Sequence, residues 1–256
     1  MKLLATGCSG GIGRYLRPDS EINFRNFQSS NSLSSLKTQI VDSTLIHLAA
    51  ITSIEQVQGN PDESFKVNVS STIDLFRTFA NNGGKRFIFT STGHVYGKTP
   101  LGRLSAENDL PNPLSLYAEQ KILAERKLLQ EAENSGIELI IFRVFSIFGV
   151  GMKSHFLAGQ IETTLKKFDS SPKILNSDDV RDFSSPSDVA CLIQKSVKIP
   201  MSGALTVNLC TGRGITVREI VKSNFPKIKN ESFVAGISET PRLVGDPERK
   251  NIFFSG

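Results

Sequence analysis

The chain has 256 residues, a hydrophobic share of 39%, a charged share of 21% and a formal net charge of +5. This length can bury one substantial core, so we expect one α/β unit with a smaller appendage. The basic residues are scattered, which argues against a nucleic-acid partner, and no apolar run is long enough for a membrane span. Three cysteines without a C-x-x-C pair fit a soluble cytoplasmic protein without a metal site.

The first predicted element is a short buried strand, Leu3-Leu4-Ala5, which runs directly into a glycine-rich turn, Thr6-Gly7-Cys8-Ser9-Gly10-Gly11-Ile12-Gly13. Glycines at this spacing let a backbone approach a pyrophosphate, and the N-terminus of a following helix supplies amide donors. The turn therefore indicates a dinucleotide site, although glycine-rich turns also occur for structural reasons alone. Cys8 either has its thiol pKa lowered by that helix N-terminus or is only a small residue that fits.

The segment that follows the glycine turn is unusually compact. Pro18 limits the first helix, and residues 22–27 are the only ones that can form the next strand. We therefore expect an element that is normally longer to be trimmed here.

Further along the chain, apolar runs at residues 44–48, 86–90 and 138–144 have the length and composition of buried strands. Segments with helical periodicity separate them, above all residues 61–81 and 116–133. This alternation predicts an α/β fold with a Rossmann-type, doubly wound parallel sheet.

Beyond residue 149 the predicted elements become shorter. They include a helix at about 156–168 and one that opens at Thr216, where Thr216 and Glu219 have capping-box spacing. We assign residues 1–148, with about 181–210 returning to them, to a dinucleotide-binding domain. We assign the smaller C-terminal substrate-binding lobe to residues from about 149 to 180 and from 211 to 256.

Tyr117 and Lys121 are well suited to acid/base chemistry. They lie four residues apart in a predicted helix, so phenol and ammonium project from one face. A phenol is a weak base at neutral pH, and an adjacent cation favours the phenolate and lowers its pKa. Thr92 lies at the end of an upstream strand, where a hydroxyl can orient a substrate hydroxyl or carbonyl. Thr92, Tyr117 and Lys121 are therefore predicted to form one catalytic constellation.

With these residues the chain resembles the extended short-chain dehydrogenase/reductase family, in particular its nucleotide-sugar epimerases, dehydratases and reductases. The motifs that carry the resemblance are, in chain order, Thr6-Gly7-x-x-Gly10-x-x-Gly13, His47-Leu48-Ala49-Ala50, Ser91-Thr92-Gly93-His94-Val95-Tyr96-Gly97, Tyr117-Ala118-Glu119-Gln120-Lys121, Arg143-Val144-Phe145-Ser146-Ile147-Phe148-Gly149, Arg181-Asp182-Phe183, Val207-Asn208-Leu209 and Arg242-Leu243-Val244-Gly245-Asp246.

The resemblance implies NAD or NADP as the cofactor, Tyr117 as the acid/base, Lys121 on the nicotinamide ribose and Thr92 as the hydroxyl partner. It also implies a sugar nucleotide held largely by the C-terminal lobe. The cofactor-binding residues expected besides Tyr117 and Lys121 are Gly7, Ser9, Gly10, Gly11, Ile12, Gly13, Arg25, Leu48, Ala49, Ala50, Thr90, Ser91 and Phe145.

Departures from the family pattern narrow the substrate chemistry. Gly93 and His94 stand where the similar 4,6-dehydratases carry an acidic pair, so dehydration is not expected; His94 is either near the reacting carbon or only a loop histidine. His155 falls where relatives contact the sugar or its phosphate, and in 4-keto-sugar epimerase-reductases a histidine there acts as an acid. The expected substrate-binding residues are Thr92, Gly93, His94, Ser146, His155, Arg181 and Arg242.

Arg181 and Arg242 match positions that contact the substrate pyrophosphate in relatives, a task that suits a guanidinium fork. The alternative is that either arginine forms a salt bridge with a nearby aspartate, Asp178, Asp182 or Asp246.

Cofactor choice depends on the end of the second strand, where a carboxylate favours NAD and an arginine accommodates the extra phosphate of NADP. If that strand is 22–27, no carboxylate lies near its end, and Arg25 slightly favours NADP. NAD and NADP both stay open.

The leading hypothesis is a nucleotide-sugar epimerase, in which a keto intermediate is reduced again from the opposite face. The alternatives are an NADPH-dependent 4-keto-sugar nucleotide reductase and a non-catalytic dinucleotide-binding regulator, a class that commonly lacks the tyrosine or the lysine. Both enzyme hypotheses point to polysaccharide precursor synthesis by analogy. Relatives often form homodimers by packing the 61–81 helix and the Tyr117 helix into a four-helix bundle, so a homodimer is a further expectation.

Overall fold

The computed structural model describes residues 2–24, 39–167, 172–236 and 238–255. Strands are numbered in chain order as β1 (Lys2–Thr6), β2 (Ser20–Ile22), β3 (Ser43–His47), β4 (Arg86–Thr92), β5 (Glu138–Val144), β6 (Ser146–Ile147), β7 (Val180–Ser184), β8 (Ala204–Leu209), β9 (Gly214–Thr216) and β10 (Arg242–Leu243). Six of them form one parallel sheet in the order β2-β1-β3-β4-β5-β8. This order confirms the predicted doubly wound α/β class.

The described helices are α1 (Ile54–Gly59), α2 (Pro61–Phe65), α3 (Ser71–Asn81), α4 (Leu116–Ser135), α5 (Leu157–Lys167), α6 (Pro186–Ser196), α7 (Val217–Asn224) and α8 (Glu248–Ser255). A π-helical turn, Lys66–Ser70, joins α2 to α3, so the predicted 61–81 helix is one run interrupted in its middle. Short 3-10 turns lie at Gly13–Tyr15, Gly93–Tyr96 and Asn230–Ser232.

Hydrophobic cores cover both faces of the main sheet. On one face α3 and α4 bury Phe76, Phe79 and Leu128 against Phe87 of β4. On the other face α6 and α8 pack over Phe142 of β5, whose ring lies 6.5 and 6.4 Å from the rings of Phe253 and Phe254. The strands therefore read as nearly continuous apolar runs because neither face meets water.

The second, smaller sheet runs β10-β7-β6, and β9 pairs with β7. With α5 and α7 it encloses a core of its own that includes Phe148, Ile161 and Val221. The capping box at Thr216 and Glu219 is formed as predicted. Residues 181–210 were expected to return to the first domain. Within them, β7 belongs to the small sheet, whereas β8 belongs to the large sheet and α6 packs on it. Helix α8 packs on the large sheet, although its residues fall in the range expected for the lobe.

The first unit of the fold is trimmed, as the sequence indicates. Residues 7–19 alone connect β1 to β2, and their only helical element is the single 3-10 turn Gly13–Tyr15. The strand predicted at 22–27 starts too late, since β2 is Ser20–Ile22; residues 25–27 lie outside the described residues. Arg14 donates hydrogen bonds to the backbone carbonyls of Val150 and Gly151, so this short unit is held against the start of the second lobe.

Candidate active site

The predicted site residues meet at the carboxyl edge of the main sheet. Thr6, His47 and Phe89 lie side by side on β1, β3 and β4; β1 and β3 end there, whereas β4 continues for three more residues to Thr92. The glycine turn follows β1, and the Leu48-Ala49-Ala50 segment follows β3. Crevices at this edge of doubly wound sheets bind ligands.

The glycine turn has no room for a side chain at Gly7 or Gly13. Gly7 has φ +73°, and a Cβ there would lie 2.7 Å from the amide nitrogen of Ala49. A Cβ on Gly13 would lie 2.2 Å from the carbonyl oxygen of Gly7, and the Gly10 amide donates to that oxygen at 3.0 Å. This bare, tightly folded turn fits a dinucleotide pyrophosphate, and the short helix that the sequence predicts after it is a single 3-10 turn, Gly13–Tyr15.

A carboxylate that the sequence analysis missed lies at this turn. Glu21 of β2 accepts a hydrogen bond from the Cys8 amide at 3.1 Å, and its side chain is exposed. Burial, followed by the charge of Glu21, raises the pKa of the Cys8 thiol to about 11, which excludes the first of the two alternatives for Cys8 and leaves it as a small residue that fits. Glu21 was overlooked because β2 begins earlier than predicted. Arg25 lies outside the described residues.

Three residues of the predicted catalytic constellation lie on β4 and α4. Thr92 is the last residue of β4, and its hydroxyl accepts a hydrogen bond from the His94 amide at 3.2 Å. Tyr117 and Lys121 lie in the first turns of α4, which Ser115 caps by accepting from the Ala118 amide. The Lys121 side chain reaches back to the strand.

Lys121 is held in a nearly dry environment. Its Nζ donates to the carbonyl oxygen of Thr90 at 2.8 Å and lies 4.4 Å from the centroid of the Phe89 ring. Burial lowers the pKa of Lys121 to about 7, while the carboxylate of Glu125 opposes this shift. Burial also raises the pKa of Tyr117. Tyr117 therefore carries its proton at neutral pH and can donate it, and Lys121 titrates in the range where a proton can be exchanged.

Buried polar contacts fix β4 to α4 beneath this pair. Glu125 accepts from the hydroxyl of Ser91 and from the guanidinium of Arg143, at 2.7 Å for the shortest of the Arg143 contacts. Arg143 also donates to the hydroxyl of Tyr96 at 2.8 Å, and that hydroxyl donates to Asn208. The predicted cofactor residue Ser91 thus uses its hydroxyl inside the protein. This role of Glu125 is not indicated by the sequence alone.

His47 also has a structural environment. Its two ring nitrogens lie 2.7 Å from the hydroxyl of Thr6 and 3.0 Å from that of Thr72, and burial lowers its pKa to about 3. The hydroxyl of Thr90 donates to the His47 carbonyl at 3.1 Å. These contacts lock the ends of β1, β3 and β4 to one another.

His94 and Arg181 come together on the substrate side. Burial, followed by the positive charge of Arg181, lowers the pKa of His94 to about 4, so the imidazole is neutral at pH 7. Arg181 pairs with Asp179 at 2.9 Å rather than with the aspartates considered from the sequence. Beside them, a Cβ on Gly93 would lie 2.9 Å from the Phe145 ring, which explains why no acidic side chain is found there.

The remaining predicted substrate residues lie apart from one another. His155 Nε2 is 3.2 Å from the hydroxyl of Thr52, which follows β3, so this histidine reaches across from the second lobe. Arg242 donates to the carbonyl oxygens of Pro100 and Arg103 at 2.9 and 2.8 Å. Ser146 lies on β6, directly after Phe145.

Two features are absent from the described part of the chain. No described helix combines the length and apolarity that a membrane crossing requires. Within the same residues, no cluster of three or more His, Cys, Asp or Glu side chains is arranged to hold a metal ion.

Comparisons with known proteins identify the family and the fold of this chain. A sequence model of the NAD dependent epimerase/dehydratase family matches residues 14–209. The GDP-6-deoxy-D-talose 4-dehydrogenase of Aggregatibacter actinomycetemcomitans is 27% identical over 269 residues, covering 97% of this chain and 90% of its own length. The GDP-6-deoxy-D-mannose reductase of Pseudomonas aeruginosa is 26% identical, covering 86% and 78%.

A solved structure, MoeE5 in complex with UDP-glucuronic acid and NAD, has the same fold. It superposes with a TM-score of 0.85 at 24% identity, covering all of this chain and 93% of its own.

Proposed function

Because this chain belongs to the NAD dependent epimerase/dehydratase family, we propose that it is an enzyme that oxidises and reduces one carbon of a nucleotide-linked sugar, with epimerisation at that carbon as its reaction. The observation that carries this proposal is the Lys121 ammonium, buried against the Thr90 carbonyl two residues before Thr92 and one helical turn from Tyr117. This arrangement brings an acid/base and a hydroxyl to the edge where the cofactor-binding turn lies.

Each residue of the constellation has a distinct task. The Thr92 hydroxyl, already an acceptor for the His94 amide, keeps its own proton free to donate to a sugar oxygen. Tyr117 gives a proton to that oxygen or takes one from it, and Lys121, one helical turn away, would stabilise the phenolate between the two events when its amine is protonated. A bound nicotinamide would supply the hydride exchange with the sugar carbon.

The cofactor that we propose is NAD rather than NADP. Glu21 is exposed beside the Cys8 amide at the glycine turn, where a carboxylate can accept from a ribose hydroxyl and repel the phosphate that NADP carries in its place. Glycines 7, 10, 11 and 13, with Ser9 and Ile12, would hold the pyrophosphate, and Leu48, Ala49, Ala50 and Phe145 would line the remainder. An epimerase can retain NAD because each oxidation is followed by a reduction.

The substrate would bind between His94 and the second lobe. His94 is neutral and adjacent to Arg181, so the two can serve a sugar hydroxyl and a phosphate oxygen respectively. We assign Ser146, His155 and Arg242 to the same substrate as contacts from the lobe. All three cysteines are free, which supports a reducing compartment, and we assign the enzyme to the cytoplasm on that ground.

A second candidate is a reductase or dehydrogenase that acts once on the sugar and releases its cofactor. The names of the two relatives, a 4-dehydrogenase and a reductase of GDP-linked 6-deoxysugars, favour it. It would use the same three residues, so the two candidates differ in cofactor turnover and not in the acid/base chemistry.

The test is to release the small molecules of the purified protein by heat and identify them by mass. The protein is then incubated with GDP- and UDP-linked hexoses, without and with added NAD or NADP, and with their 4-keto derivatives plus NADH or NADPH, and the products are read by NMR. Retained NAD with inversion at one sugar carbon supports the epimerase. Turnover only with stoichiometric dinucleotide supports the second candidate, and failure to bind either dinucleotide would overturn both.

We also propose a homodimer through α2, α3 and α4. A groove of about 450 Å³ lies between these helices, with Phe65 exposed in its lining. The lining also carries charges of both signs, on Asp74, Arg77, Lys127 and Glu131. A two-fold axis brings such a surface against its own copy, so its acids can face its bases.

Size-exclusion chromatography with light scattering tests the dimer. The wild type should elute as a dimer, and Phe65→Glu should dissociate it. Leu101→Glu, at a leucine outside the groove that is more exposed than Phe65, should not. A wild-type monomer at micromolar concentration would contradict the proposal.

A further inference from the structure

The crossing loop, residues 148–156 between β6 and α5, lies across the glycine turn. Met152 of this loop is buried, and a Cβ on Gly11 would lie 3.4 Å from its Cε atom. The same Cβ position is 3.9 Å from the Cδ1 of Ile147, the last residue of β6. The crossing loop therefore packs directly on the turn to which the dinucleotide pyrophosphate is assigned.

Arg14 fastens the crossing loop to the glycine turn. It directly follows Gly13, and its guanidinium donates to the carbonyl oxygens of Val150, at 2.8 Å, and of Gly151. Gly151 has φ +73°, and a Cβ there would lie 3.0 Å from Nη1 of Arg14, so only a glycine leaves room for the guanidinium. A planar fork on two successive carbonyls fixes the orientation of the loop as well as its position.

Further contacts tie the crossing loop to the second lobe and to a second cofactor segment. The amide of Gly151 donates to Oε1 of Glu162 on α5 at 2.8 Å. At the other end of the loop, Nε2 of His155 lies 3.2 Å from the hydroxyl of Thr52, two residues beyond the 48–50 segment assigned to the dinucleotide. The crossing loop is thus held beside both cofactor segments and bridges the ends of two neighbouring strands, β1 and β3.

We propose that the crossing loop is a strap that closes over the bound dinucleotide, and that Arg14 is the positioning residue that holds it closed. This role rests on the proposed function, because that function places the pyrophosphate on the glycine turn. A dinucleotide between the turn and the strap leaves only when the strap opens. Such a strap suits an enzyme that oxidises and reduces with the same cofactor molecule, since it keeps the cofactor through both steps.

A strap and an ordinary contact differ in their effect on binding rates. Arg14 joins protein to protein, so loosening the strap should speed both the entry and the exit of the dinucleotide and change the dissociation constant little. Removal of a side chain that only touches the dinucleotide would alter mainly the exit rate. The two rates, measured together, therefore separate the strap from a contact.

Three substitutions test the strap. Arg14→Met removes both donors and keeps much of the length of the side chain. Arg14→Lys keeps the positive charge but cannot hold two carbonyls with a planar fork. Arg17→Met is the matched control, because Arg17 is an exposed arginine of the same short unit whose guanidinium donates to the carbonyls of Arg14 and Leu16, within its own segment.

The readouts are the association and dissociation rates of NADH on protein freed of its retained dinucleotide, followed by stopped-flow fluorescence with excess NAD as the competitor. Arg14→Met should raise both rates by about tenfold and leave the dissociation constant within about threefold. Arg14→Lys should raise both by about threefold, and Arg17→Met should leave both within about twofold. Hydrogen exchange at the Gly151 amide, measured without cofactor, should be faster in Arg14→Met and unchanged in Arg17→Met.

The possible results distinguish the strap from the proposed function. If Arg14→Met leaves both rates and the exchange at Gly151 at wild-type values, or raises the dissociation rate alone, the strap is wrong while the function stands. Equal effects of Arg14→Met and Arg17→Met would assign the change to charge and would also overturn the strap. If Arg14→Met does not fold, Arg14→Lys decides in its place. A wild-type protein that binds neither NADH nor NADPH would overturn the proposed function, and the strap with it.

Discussion

The β1-β2 unit at the start of the chain consists of short elements, whereas the β4-α4-β5 unit around the catalytic helix consists of long ones. Between β1 and β2 there is a single 3-10 turn, and β2 has three residues. Between β4 and β5, each of seven residues, lies the twenty-residue helix α4, tied to both strands by buried hydrogen bonds.

The difference follows from what each unit must hold. A pyrophosphate needs a tight glycine backbone, which a short turn provides, whereas a proton transfer needs side chains held within fractions of an ångström. If this view is correct, substitutions in the β4-α4-β5 unit should cost much more in rate and stability than matched substitutions near the start of the chain.

The largest contrast is expected between two tyrosines. Tyr117→Phe should lower turnover by about 10³-fold, since it removes the group that exchanges the proton, without unfolding the protein or weakening dinucleotide binding. Tyr15→Phe, at a half-exposed tyrosine of the first unit, is the matched control and should keep full turnover. Steady-state kinetics, on the substrate that the product analysis identifies, measures the turnover of both variants. Tyr117→Phe with wild-type turnover would assign the chemistry elsewhere and would revive the non-catalytic hypothesis.

The next effect concerns stability beneath the catalytic pair. Glu125→Gln leaves the Arg143 guanidinium buried without its counter-charge, so the free energy of unfolding should fall by about 3–5 kcal/mol. Glu131→Gln breaks the more exposed pair with Arg77 on the same helix and should cost less than about 1 kcal/mol. Urea denaturation of both variants measures the difference. Similar losses in the two variants would mean that the buried network contributes no special rigidity.

Lys121 should make the stability of the cofactor-free protein depend on pH. Its pKa in the fold is about 7, below the ordinary 10.5, so between these values the unfolded chain binds more protons and stability rises with pH. The unfolding free energy of the wild type, relative to Lys121→Met, should therefore increase from pH 7 to about 10, with a slope of at most about 1.4 kcal/mol per pH unit.

Denaturation of both proteins at several pH values tests this expectation. Lys127→Met, which removes an exposed cation from the same helix, controls for the general loss of positive charge. A difference between wild type and Lys121→Met that stays flat over this range would show that Lys121 is not held in a dry environment.

The sequence predicts the β4-α4-β5 unit better than the first unit, for a physical reason. The strand predicted at 138–144 is β5 with the same bounds, because buried parallel strands are continuous apolar runs. The helix predicted at 61–81 is also present, but its π turn is not predictable, since it is fixed by the contacts of Asn68 with residues distant in sequence. The environment of Lys121 likewise depends on Thr90 and Phe89, which only the sheet brings near.

Predicting from local sequence is hardest where an element is very short. The strand predicted at 22–27 shares only Ile22 with β2, because β2 is Ser20–Ile22 and has one apolar residue. The predicted strand begins two residues later than β2, so Glu21 lies before it and is not predicted as a carboxylate at the cofactor site. The three-residue strand is identified by its pairing with β1 and not by its composition.

The smallest expected effect tests what that short strand does. Glu21→Gln keeps the size of the side chain but removes the charge, so NAD affinity should fall by about tenfold while NADP is no longer repelled. Asp19→Asn, at a nearby carboxylate that accepts from the Leu3 amide, should leave the ratio of the two affinities unchanged. The pH dependence of Cys8 alkylation gives a second readout without cofactor, because Glu21 contributes to the raised pKa of that thiol. A lowered Cys8 pKa with an unchanged affinity ratio would mean that Glu21 only closes the turn, and that the trimmed unit leaves the choice of dinucleotide to other residues.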